Sequence, residues 1–113
     1  MPFNTQPPYN VTKVDDVTAS RAIDGTVYQN LTGKTMFVTI CGACSGNVGA
    51  TAVFGAYIGA NAAPNENAGA VGISSFTAGL VLYLELEFKV PPGWYYRGSS
   101  AGNCIMFLWV EAY

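Results

Sequence analysis

Between Leu80 and Val90 every second residue is apolar. Leu80, Leu82, Leu84, Leu86, Phe88 and Val90 fall on one side, and Tyr83, Glu85, Glu87 and Lys89 fall on the other. A period of two is the repeat of a pleated strand, so this run predicts an amphipathic strand with its leucine side in a core. Pro91-Pro92-Gly93 ends it, because proline gives no ladder N–H and glycine accepts the backbone of a tight turn.

The same punctuation divides the rest of the chain. Thr26 to Asn30 is β-prone, and Asn30-Leu31-Thr32-Gly33-Lys34 supplies the residues of a hairpin loop. In the strand that follows, Thr35 to Cys41, residues Met36, Val38 and Ile40 share one face. Cys41 to Ala50 is small and glycine-rich, Thr51 to Gly59 is again strand-like, and Ala60 to Gly72 is expected to be an exposed loop. Trp94-Tyr95-Tyr96 opens another strand, Gly98 to Asn103 reads as a small loop, and Cys104 to Tyr113 forms a last strand that is apolar on both faces. Such a strand belongs in the middle of a structure or in an interface. With no amphipathic helix in view, the pattern predicts an all-β fold: a small β-sandwich, jelly-roll-like, spanning residues 21–113. Residues 1–20, with Pro2, Pro7 and Pro8, read as an extended N-terminal arm whose anchors to a larger body are Phe3, Pro7, Pro8 and Tyr9.

Composition narrows the partners. Only 11% of the 113 residues are charged, with seven Tyr, six Phe and two Trp, so apolar surface is expected to remain outside and to mark protein contact. Homotrimeric self-association is expected, with Phe107, Trp109, Glu111 and Tyr113 at the subunit interface and Arg97 or Arg21 as the interchain partner of Glu111. Trp94, Tyr95 and Tyr96 form a candidate ligand surface for stacking on a host glycan. Five basic residues against seven acidic ones, without a basic cluster, argue against nucleic acid. No run approaches the ~18 apolar residues of a membrane span, and Met1-Pro2-Phe3-Asn4 does not resemble a signal peptide, so synthesis in a cytoplasm without membrane insertion is expected. On that ground Asn10-Val11-Thr12 and Asn30-Leu31-Thr32 are read as turn residues rather than glycan acceptors.

Catalysis finds little to work with. There is no histidine, the commonest general base and metal ligand. Cys41, Cys44 and Cys104 are too few to close a four-thiolate zinc site. Cys41-Gly42-Ala43-Cys44 has redox spacing but no helix behind it to lower a thiol pKa, so its cysteines are expected to be small core or turn residues, with oxidation of Cys41 and Cys44 left open. Asp15 with Asp16, and Glu85 with Glu87, read as solvated pairs rather than glycosidase carboxylates. The expectation is a protein that is not an enzyme and has no cofactor or metal.

Arg21 to Val38, Val90-Pro91-Pro92-Gly93-Trp94-Tyr95-Tyr96 and the closing Trp109-Val110-Glu111 resemble segments of the terminal knob domains of bacteriophage tail fibres and related phage virion proteins. The resemblance implies a trimeric β-sandwich knob on the virion surface. It would act in capsid decoration or as a head spike, or as a tail-fibre receptor-binding module for host carbohydrate, in contact with other capsid or tail proteins. It carries over no catalytic residue. Unlike such fibres, this sequence has no shaft, and that favours decoration, with the arm as the attachment device.

Overall fold

The computed structural model describes residues 11–45, 51–73 and 81–113. Eight strands follow one another: β1 Val14–Asp16, β2 Tyr28–Gln29, β3 Met36–Ser45, β4 Ala52–Gly59, β5 Glu66–Ile73, β6 Val81–Val90, β7 Tyr95–Ala101 and β8 Asn103–Ala112, with one 3-10 turn at Thr18–Ser20. They form two antiparallel four-stranded sheets, ordered β1-β8-β3-β6 and β2-β7-β4-β5. The chain passes repeatedly from one sheet to the other, and this strand order is that of the eight-stranded jelly roll. The all-β sandwich expected from the sequence is the fold.

Alternation set the inward faces. Met36, Val38, Ile40, Leu86, Phe88 and Val90 are buried, and they pack with Ala56, Tyr96 and Trp109 into the main core. A smaller cluster, Cys44, Ala52 and Phe54, fills the other end. There Gly42 is required by close approach, because a Cβ at that position would fall 2.0 Å from the Phe54 ring. Cys44 and Cys104 oppose each other on β3 and β8 and form a disulfide. The open question of Cys41 and Cys44 is thus resolved differently: Cys44 is taken by Cys104, and Cys41 is a free thiol on the other face of β3.

Several local expectations are corrected. Asn30 to Lys34 is not a hairpin loop, since β2 pairs with β7 and β3 with β6 and β8. The segment instead crosses between sheets, and the buried Asn30 side chain organises it. Asn30 Nδ2 donates to the carbonyls of Lys34 (2.7 Å), Val90 (3.0 Å) and Pro91 (3.2 Å), while Oδ1 accepts from Thr32 N–H and Oγ1. The stretch read as an exposed loop contains β5, an edge strand of Ala, Gly and Asn whose β-propensity is low and whose pairing with β4 supplies what its side chains do not. Gly98 to Asn103 is not a loop either: β7 runs to Ala101, and Gly102, at φ 83°, makes the corner into β8. The arm loses its second half to the domain. Val14, Asp15 and Asp16 pair with Ala112, Glu111 and Val110, while Val17 N–H donates to the Trp109 carbonyl.

The last strand is central, as expected, but its phase is not constant. The register with β3 shifts between Cys41 and Gly42, so that Cys41 opposes Leu108 while Gly42 opposes Met106, and Phe107 is the extra residue of a bulge. Before the bulge the even-numbered residues face inward, and after it Trp109 and Glu111 do. A strict alternation of Met106, Leu108 and Val110 against Ile105, Phe107 and Trp109 therefore fails at this point.

Candidate functional surface

Trp109 and Glu111 were expected at a subunit interface, but they lie inside the single chain, 0% and 5% exposed. Arg21, from the segment that crosses between the sheets, reaches Glu111 with two hydrogen bonds, Nε to Oε2 and Nη2 to Oε1, both 2.9 Å. The pair is thus intrachain and uses Arg21. Arg97 instead stacks 4.1 Å from the Tyr57 ring and donates to the Pro64 carbonyl. Glu111 Oε2 also accepts from Tyr96 Oη at 2.6 Å and from Trp109 Nε1 at 3.0 Å. Tyr28 packs against this group with its ring 4.5 Å from the Arg21 guanidinium and its edge toward Trp109.

Every donor around the carboxylate is used, and no buried side-chain polar atom among the described residues lacks a partner. Burial, then the hydrogen bond to Glu111, holds the Tyr96 hydroxyl well above its ordinary pKa, so it stays a neutral donor. A charge closed in by an arginine and three aromatic rings, with no open coordination position, can support a fold. It has no room for a substrate.

Tyr96 is therefore removed from the candidate ligand surface: it is 1% exposed and in the core. Trp94 is half-buried against the same core and Tyr95 is half-buried on β7. Tyr113 is half-buried and donates to Asp15 Oδ2 at 2.6 Å. Phe3, Pro7, Pro8 and Tyr9 lie outside the described residues. Among the described residues, no three His, Cys, Asp or Glu side chains gather where a metal could bind.

Of the expected interface residues, only Phe107 is well exposed, at 49%. Its surroundings define the candidate surface, which is the outer face of the first sheet. Phe107 meets Tyr83 of β6 edge-on at 6.1 Å, across the small Ala43 that Tyr83 opposes on β3. Ile105 of β8 and Val81 of β6 extend the patch, and Tyr83 is 76% exposed. The outward positions of β3 are Phe37, Thr39, Cys41, Ala43 and Ser45; those of β8 are Asn103, Ile105, Phe107, Leu108, Val110 and Ala112. Neither row contains a charge. Charged side chains stand only at the margins, Glu85, Glu87 and Lys89 on β6 and Asp16 on β1. An uncharged centre with a charged rim is the composition of a protein–protein contact. Burial, then the nearby Glu85 and Glu87, raises the Cys41 thiol pKa, which makes it a poor nucleophile.

The leucine alternation of β6 makes its inner face legible from sequence, and Phe107 was expected outside, but the bulge that turns Trp109 and Glu111 inward has no sequence mark. Comparison with protein-family models, curated proteins and solved structures finds no match to this chain.

Proposed function

We propose that this chain is a non-enzymatic structural protein of a phage particle, carried on the virion surface, which works by packing the outer face of its first sheet against neighbouring protein. The observation that carries the reading is the uncharged double row of β3 and β8, with Ile105 and Phe107 exposed on it and Tyr83 exposed beside it on β6. A solvated antiparallel face normally alternates to polar residues, so a face apolar on both sides of the sheet is made for cover. The resemblance of three segments to phage knob domains supplies the virion context, and the Cys44–Cys104 disulfide suits a particle that spends its life outside a reducing cytoplasm.

Self-association belongs to this reading, although Trp109 and Glu111 no longer argue for a trimer. Capsid decoration is favoured over a tail-fibre position. The receptor-module alternative loses Tyr96 and retains Trp94 and Tyr95. The test is binding of the purified chain to particles that lack it, with a density map of the decorated particle. Saturable binding lost in Tyr83→Lys and Phe107→Lys supports the reading. Undiminished binding by both variants, or binding to glycans in its place, would overturn it.

A further inference from the structure

β1 covers only the last part of β8. Its three residues pair with Val110, Glu111 and Ala112, and the chain then leaves through Val17 and Thr18, which hydrogen-bond the Trp109 carbonyl and N–H. From Asn103 to Leu108, β8 is bonded to β3 on one side, and no described strand lies on the other. Among the described residues, half of this central strand is therefore an edge. Edges are normally protected by charge, proline or a bulge; Asn103-Cys104-Ile105-Met106-Phe107-Leu108 contains no charge and no proline, and its bulge at Phe107 lies in the pairing with β3.

We propose that this open half of β8 pairs antiparallel with the same segment of a second copy, joining the two first sheets into one continuous sheet. The inference rests on the packing function assigned above and names one partner of that surface. Antiparallel self-pairing is isologous, so each copy supplies the same edge and satisfies the other's backbone groups. Ile105 and Phe107 of each copy come to lie beside their counterparts on the outer face, an aromatic with a β-branched residue, and no like charges meet.

The chain's own N-terminal segment is a poorer occupant. It departs from Thr12 and Lys13, which are bonded to Tyr113 at the opposite end of β8. Residues 1–10 would have to double back and use about 20 Å of a reach of about 35 Å before meeting Phe107, which leaves about four residues to pair. A second copy needs no such reversal. A pair of six-residue edges falls below the ~1,200 Å² of a stable complex, so the dimer is weak in solution and is favoured where copies are crowded on a surface.

The test uses the full chain in sedimentation equilibrium from about 5 µM to about 1 mM, a range that covers a contact of this size. The expected result is a reversible monomer–dimer equilibrium. Ile105→Lys with Phe107→Lys should weaken it by at least about tenfold by placing like charges in the pair, while both residues' exposure keeps the monomer's melting unchanged. Tyr83→Lys, two strands from the edge, should leave it within about twofold, whereas stacking of whole faces would lose as much as with the double variant. Amide exchange in Cys104 to Leu108 should slow as concentration rises. A monomer at every concentration, dissociation by Tyr83→Lys equal to that of the double variant, or exchange independent of concentration would each overturn the pairing. Dimerisation is read on the free chain and docking on particles, so failure of one leaves the other standing.

Discussion

The two halves of β8 invert the usual rule for what lies inside. In the C-terminal half a carboxylate is buried and β1 closes the edge. In the N-terminal half Ile105 and Phe107 are exposed and no described strand closes the edge. The difference comes from what each half is given. Glu111 has a bidentate arginine and two further donors, which offset the cost of taking its charge from water. The exposed apolar residues have no second layer among the described residues. Polarity did not sort these residues; the availability of partners did.

The halves are also fastened differently, and that gives ways to separate them. The open half is tied to β3 by the Cys44–Cys104 disulfide, which closes a loop of 60 residues. Replacing both cysteines by alanine should cost the largest amount, about 4 kcal/mol, mainly by freeing the unfolded chain. Urea unfolding measures it. Next, Arg21→Met should cost about 3 kcal/mol by leaving the Glu111 charge buried without its counter-ion. An effect below about 1 kcal/mol in the same measurement would mean that the closed half does not depend on the pair.

A smaller effect is expected from pH. The Tyr96 pKa is raised by folding, so its contribution is fully present below the ordinary tyrosine value of 10.0 and is lost as pH rises beyond it. Unfolding free energies between pH 8 and pH 11 should fall less steeply in Tyr96→Phe than in the parent (about 10 being where unfolded tyrosine ionises). Last, Ile105→Ser and Phe107→Ser should change monomer stability by no more than about 0.5 kcal/mol, because surface sites outside the core carry little of it. Losses of 2 kcal/mol or more, on the order of a buried side chain, would show that these residues already pack within the chain.

The sandwich was legible because β3, β4, β6 and β8 announce themselves by alternation and turn residues. β5 was not, since Ala68, Gly69 and Ala70 are too small to set a clear apolar period and are held by pairing with β4. Within the site, the aromatic and acidic residues were found but placed outside instead of inside, because a sequence shows that Glu111 needs a cation without showing which chain supplies it. Distance along the chain explains part of this. Arg21, Tyr28 and Asn30 meet Val90, Pro91 and Tyr96 from one distant segment and Trp109 and Glu111 from another, and together they make the buried polar contacts of the core.

The position of β8 between β1 and β3 has a consequence for synthesis. The strand at the heart of the first sheet is the last of the eight to emerge from the ribosome, so β1 and β3 have no common neighbour until it arrives. Until then β3 and β6 have only each other as neighbours in their sheet, and Arg21 waits for its carboxylate. Pairing across so long a separation makes folding slow and leaves apolar strands uncovered meanwhile. Arrival of β8, more than any local element, is thus the event that completes the first sheet.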